Sequence, residues 1–238
     1  MDNQKPLDGT VALVTGASRG IGLAIARKLG KMGARLSICS KDRQNLEAAK
    51  NELGQDARIF AEAVDVTQAE QISSFLAHTE QNIGPVEILV NNAGIGYFGP
   101  AHEASDQIWD SVLDTNLKSV FLVSKAVAPG MIERRSGHII NIASLAGKNT
   151  FRNGGIYCAS KWGLLGLSGC MAEDLRAYGI RVSAICPGSV ATEFSHHESK
   201  DPGKLLQPDD IAHAVGMLVT QARQSFISEV IMRPTQKP

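Results

Sequence analysis

The feature that most constrains this chain is the junction after its first strand. Thr10–Thr15 is a short apolar, β-branched run that reads as a buried strand. It ends in the turn Thr15-Gly16-Ala17-Ser18-Arg19-Gly20-Ile21-Gly22, and helical periodicity follows over Ile21–Met32. Glycines let a backbone approach a pyrophosphate closely, and a helix start offers free N–H groups and a positive dipole end. Tight turns also carry glycine for steric reasons alone. The spacing here is Gly-x3-Gly-x-Gly, and its place between a first strand and a helix favours nucleotide binding.

The alternation continues to the end of the chain. Further strands read at Arg35–Cys39, Arg58–Val64, Val86–Val90, Gly137–Ala143, Arg181–Cys186 and Glu229–Arg233. Helices read at Asp42–Leu53, Gln68–Gln81 (which Thr67 could cap), Asp106–Arg134 with a soft break near Thr115-Asn116, Gly155–Tyr178 and Asp209–Thr220. Such alternation means βαβ units, a parallel sheet and right-handed crossovers, with ligands expected beyond the carboxyl ends of the strands. The least regular region, Gly188–Gln207, reads as a substrate loop. At 238 residues, a single domain over 1–238 fits better than two.

Composition removes several function classes. Twenty-four basic against 24 acidic residues leave no cationic excess for nucleic acid, and no apolar run suggests a membrane span. Cys39, Cys158, Cys170 and Cys186 stand singly, without metal-ligand spacing, which suits a reducing compartment and no metal site. Met1–Asp8 is polar and lacks the core of a signal peptide, so a cytoplasmic location is expected.

Tyr157 and Lys161 stand four residues apart on a helical segment, so both side chains leave one face. A nearby ammonium favours the phenolate and lowers a phenol pKa from about 10, which would make the pair a tuned acid/base. The chain also carries Asn91-Asn92-Ala93-Gly94, Asn116, Ser144 and Pro187-Gly188. With the glycine turn and Tyr157-x3-Lys161, these resemble, in order and at familiar spacings, the classical branch of the short-chain dehydrogenase/reductase family. That branch includes the 3-oxoacyl carrier-protein reductases.

The resemblance implies a Rossmann-type α/β fold, a doubly wound parallel sheet of about seven strands with helices on both faces. It implies a catalytic tetrad of Asn116, Ser144, Tyr157 and Lys161. Tyr157 would exchange a proton with the substrate oxygen, and Ser144 would hold that oxygen. Lys161 would tune Tyr157 and grip the nicotinamide ribose, and Asn116 would fix a water leading from Lys161 to solvent. Cofactor contacts are expected from Gly16, Ser18, Arg19, Gly20, Ile21 and Gly22 in the turn. Asp65 and Val66 would lie at the adenine, with Asn92, Ala93 and Gly94 along its ribose. Pro187 and Gly188 would back the nicotinamide, with Val190 and Thr192 at its carboxamide.

An Asp at the end of the second strand accepts from the ribose 2′-hydroxyl of NAD and repels a 2′-phosphate. This chain has Ser40 and Lys41 there, with Arg19 in the turn, which favours NADP(H) and the reductive direction. The expected activity is an NADPH-dependent carbonyl reductase, reversibly an alcohol dehydrogenase, that transfers hydride to a moderately apolar ketone or oxoacyl group. Alternatives are a non-catalytic NADP-binding sensor or scaffold, and an epimerase or dehydratase on the same fold. Ile95, Tyr97, Leu145, Phe151 and Phe194 are the expected pocket walls. His196-His197 reads as solvated, and Cys158 as packing. Gly163, Gly166 and Gly169 form a small-residue face, and the resemblance implies a homo-oligomer, tetramer or dimer, through Asp106–Arg134 and Gly155–Tyr178. The C-terminal Ser228–Pro234 departs from the family's usual tail and puts the tetramer in doubt.

Overall fold

The computed structural model describes residues 5–54, 58–194 and 201–236. Seven parallel strands form one sheet: β1 (Val11–Thr15), β2 (Arg35–Ser40), β3 (Ile59–Ala63), β4 (Ile88–Asn91), β5 (Gly137–Ile142), β6 (Ile180–Pro187) and β7 (Glu229–Met232). Their order is β3-β2-β1-β4-β5-β6-β7, so the direction of winding reverses between β1 and β4. The expected Rossmann-type α/β fold is the one observed, with strand ends displaced from the sequence reading by at most two residues.

Alternating side chains supply two cores. From β1, Ala12 and Val14 face one side, where α1 (Gly20–Lys31), α2 (Arg43–Leu53) and α7 (Pro208–Val219) pack. Val11 and Leu13 face the other, against α3 (Ala69–Ile83), α5 (Ser119–Arg134) and α6 (Gly155–Arg176). Strand β5 divides the same way, with Ile140 and Ile142 on the first side and Ile139 on the second. Because both faces are covered, the strands read as continuous apolar runs.

Local signals set the boundaries. Asp42 caps α2 by accepting from Asn45 N at 2.9 Å. Thr67 does not cap α3: the N-cap is Gln68, and Thr67 instead donates to Asp65 through its backbone and its hydroxyl. A two-residue Asx turn at the end of β3 has captured the hydroxyl that a cap would need. The soft break in Asp106–Arg134 is a π-helical turn, Asp114–Lys118, between α4 (Asp106–Leu113) and α5. Gly166 and Gly169 of α6 meet nothing within 4 Å of an added Cβ, whereas one at Gly163 would stand 2.9 Å from Leu117. Trp162 and Phe121 are exposed, on α6 and α5 respectively.

Candidate active site

The reversal between β1 and β4 opens a cleft of about 1630 Å³ at the carboxyl ends of the strands. One wall is the glycine turn. Gly16 has φ +63, and a Cβ there would stand 2.8 Å from Ala93 Cα. At Gly22 a Cβ would stand 2.2 Å from Gly16 O, so the turn must close on itself without side chains. Gly16, Ser18, Arg19, Gly20 and Ile21 line the cleft, and Gly22 lies behind it as a packing position. Helix α1 starts with no side-chain cap and no acidic residue in its first turn, which leaves its N–H groups available to an anion.

The end of β4 is tied to this turn. Asn92 donates from Nδ2 to Thr15 O and Gly16 O, each at 3.0 Å, and Thr15 Oγ1 accepts from Asn92 N and Ala93 N. The Asn92 amide is therefore spent on shaping the turn, although Asn92, Ala93 and Gly94 all face the cleft. On the opposite wall, Pro187 ends β6 and Gly188 donates to Met232 O at 2.8 Å. Val190 bridges to Leu206, and Thr192 Cγ2 would stand 3.4 Å from a Cβ at Gly20, so this segment crosses over the turn. All four residues line the cleft. His196 and His197 lie outside the described residues.

The far end, where Ser40, Lys41, Asp65 and Val66 gather, differs from the expectation of free cations. Lys41 Nζ is 2.9 Å from Asp65 Oδ2, and Arg19 pairs with Glu193. Ser40 Oγ donates to Asp42 O at 2.9 Å, so its proton is engaged. The Asp65 carboxyl is held below its usual range: burial pushes it up, but Lys41 and Thr67 outweigh this. The pairs are exposed, with the Lys41 side chain 82% accessible, and such bridges contribute roughly 0–1 kcal/mol. A phosphate dianion has the charge to displace them.

Helix α6, entering from Gly154, presents Tyr157 and Lys161 at the centre of the cleft. Ser144, just after β5, accepts from Ala146 N at 3.1 Å and lies beside the phenol. Lys161 is 5% exposed and donates from Nζ to Ile142 O at 3.0 Å. Its Nζ is 5.8 Å from the centre of the Tyr157 ring. The expected lowering of the phenol pKa is not what this arrangement produces. Burial pushes Tyr157 up to about 12, and the Ser144 hydroxyl, pulling the other way, does not compensate. Burial likewise pulls Lys161 down to about 8. At that separation desolvation outweighs the charge of the amine.

Asn116 sits inside the π turn and does not line the cleft. Its Oδ1 accepts from Ile95 N at 2.8 Å, and its Nδ2 donates to Ile95 O at 2.9 Å and Ser160 Oγ at 3.0 Å. Ser160 in turn donates to Tyr157 O at 2.7 Å. Asn116 thus clamps the Gly94–Ile95 strand end to the helix that carries Tyr157. Both Nδ2 protons are engaged in doing so.

Among the expected pocket walls, Ile95, Leu145, Phe151 and Phe194 line the cleft and Tyr97 does not. The residue that does is Phe98, whose ring centroid is 5.6 Å from that of Tyr157. Cys158 points away from the cleft, its thiol 3.6 Å from Asn149 O, as packing requires. Among the described residues no group of three or more His, Cys, Asp or Glu could hold a metal, and no helix is long and apolar enough to cross a membrane.

Comparison with known proteins bears on this geometry. The family model described as short chain dehydrogenase matches residues 10–203. A putative ketoacyl reductase of Streptomyces coelicolor is 38% identical over 237 residues, covering 89% of this chain and 90% of that protein. A metagenomic short-chain oxidoreductase solved in complex with NADP superposes with a TM-score of 0.86 at 45% identity, over 98% of this chain and 100% of that one. A variant of actinorhodin polyketide ketoreductase solved with NADPH gives 0.88 at 35% identity, over 94% and 95%.

Proposed function

Because this chain belongs to the short-chain dehydrogenase family, we propose that it is an NADP-dependent oxidoreductase that reduces the carbonyl of a small ketone or oxoacyl compound to an alcohol. The observation that carries this reading is the meeting of Tyr157, Ser144 and Lys161 in the same cleft as the glycine turn. A pure nucleotide-binding sensor has no use for a buried phenol beside a serine hydroxyl. The NADP named for the metagenomic relative, and the NADPH named for the ketoreductase, support the choice of nucleotide.

The residues present fit such a cofactor. The uncapped start of α1 and the side-chain-free turn would take the pyrophosphate. Arg19 and Lys41, with Ser40 between the walls, would take a 2′-phosphate after parting from Glu193 and Asp65. Val66 and Asp65 would flank the adenine, Pro187 and Gly188 the nicotinamide, and Val190 and Thr192 its amide. When bound, the nicotinamide supplies hydride.

The protein's own groups then manage the proton. A Tyr157 held at about 12 stays protonated at neutral pH and can donate to an oxygen that is gaining charge. Ser144 would donate a second hydrogen bond to that oxygen, a preorganised dipole that need not reorient during the reaction. Lys161, close to its own midpoint at about 8, can carry charge toward the phenol as the proton leaves. Asn116 fixes the distance between the β4 end and α6 on which this alignment depends. We assign cradle and catalytic residues to one domain over the whole chain. We place a self-association surface on the exposed α5–α6 face around Trp162 and Gly166.

The test is Tyr157→Phe, followed by NADPH absorbance over a panel of ketones. Losing the proton donor should cost about 10²–10⁴-fold in kcat with the fold and NADPH binding intact. Near-normal turnover in Tyr157→Phe would remove Tyr157 from the chemistry. No net oxidation of NADPH by the wild type would return the sensor and epimerase alternatives.

A further inference from the structure

Two phenylalanines pack on Tyr157 and a third, Phe151, packs on one of them, each from a separate segment. Phe98 follows β4, Phe151 follows the turn after Ser144, and Phe194 follows β6. The centroids of Phe98 and Phe194 lie 5.6 and 5.8 Å from that of Tyr157 and 6.4 Å from each other, near right angles. Phe151 lies 6.3 Å from Phe98. Two glycines make room for these rings. A Cβ at Gly96 would stand 2.7 Å from Phe98 and 3.2 Å from Phe194, and one at Gly154 would stand 2.5 Å from Phe151.

We propose that Phe98, Phe151 and Phe194 form an aromatic clamp that selects flat ketones, in which the carbonyl is attached to an aromatic or conjugated plane. This proposal rests on the carbonyl-reductase reading and supplies its substrate class. Phe98, Phe151 and Phe194 are 46%, 47% and 40% exposed, so each keeps an open face beside a phenol that is only 8% exposed. Offset and edge-on contacts between rings add attraction beyond the area they bury. A flat substrate entering among them exchanges one set of ring contacts for another and reaches the phenol. A puckered, saturated group of equal size meets the same walls without that geometry.

The test compares acetylnaphthalene with acetyldecalin, its saturated counterpart of nearly equal size. kcat/KM is measured with NADPH, and Kd is measured calorimetrically against the protein with NADP⁺. The flat ketone should be preferred by roughly tenfold, about 1.4 kcal/mol. Phe98→Leu and Phe194→Leu should each lower the ratio of acetylnaphthalene to acetyldecalin kcat/KM several-fold, beyond any loss that the two ketones share, with circular dichroism unchanged. Equal use of both ketones by the wild type, or an unchanged ratio between them in the Leu variants, overturns the clamp and leaves the reductase reading intact. Selective binding of acetylnaphthalene without NADPH oxidation supports the clamp and refutes the reductase reading. Absence of selective binding and of selective turnover overturns the clamp.

Discussion

Replacing Lys161 by Met should make the cofactor-free protein more stable while destroying its activity. Lys161 is 5% exposed, and one hydrogen bond, to Ile142 O, anchors its amine. Burial moves that amine from 10.5 to about 8. At about 1.4 kcal/mol for each tenfold change in the proton equilibrium, retaining the charge in the fold costs about 3 kcal/mol at neutral pH. Met fills a similar volume without the charge, at the loss of the hydrogen bond to Ile142 O, about 1 kcal/mol. The net gain is about 2 kcal/mol, or a Tm higher by about 4–8 °C for a chain of this size. The sign follows from the depressed pKa. Below about 8 the folded protein must carry the buried charge, whereas between 8 and 10.5 only the unfolded chain holds the proton. Wild-type stability should therefore rise with pH through that window, and the advantage of Lys161→Met should fade by about pH 9.5. Tm by circular dichroism, measured without nucleotide from pH 6 to about 9.5, reads both effects. A Met variant no more stable than wild type at pH 7, or an advantage that does not change with pH, would refute the reasoning. The buried amine is then not a cost that function alone explains.

Other positions give shorter tests. Ser40→Asp should reverse or erase a preference for NADPH over NADH in kcat/KM. Lys41→Ala should cost NADPH roughly tenfold and spare NADH, since a charge-assisted contact is worth about 1.5–3 kcal/mol before solvent screening; equal loss of both nucleotides would contradict the assignment. Asn116→Ala removes three hydrogen bonds in a buried turn and should destabilise the protein by about 2–4 kcal/mol, seen as a lower urea midpoint. Gly166→Arg, at a position open within the chain, should yield a smaller species by light scattering if α6 packs on a second copy, and an unchanged mass would clear that face.

The sequence shows most plainly those features that a single local period or a backbone demand enforces. The glycine turn is legible because a Cβ at Gly16 or Gly22 would strike backbone atoms, so few residue types fit there. Tyr157 and Lys161 are legible as a pair because one helical turn separates them. Phe98 is not, since Gly94–Gly99 has no period from which to tell the direction of Phe98 from that of Tyr97. Nor are the pairs Lys41–Asp65 and Arg19–Glu193, whose partners lie far apart in sequence and meet only when the strand ends assemble.

The sign of the Tyr157 shift is the instructive difference. Spacing alone puts an ammonium near a phenol and predicts a lowered pKa. What decides the outcome is how much water the assembled walls exclude, and Phe98 and Phe194, from two distant segments, both pack against that ring. Desolvation acts on both groups at once, raising the phenol and lowering the amine, so it opposes the charge-separated state from each side. In the proposed reaction, such a site would hold its proton on oxygen and give it to a substrate that is becoming an alkoxide. Taking a proton from an alcohol would first require a phenolate in the same dry pocket. Under the proposed mechanism, the raised Tyr157 pKa would favour reduction at neutral pH independently of the cations at the adenosine end.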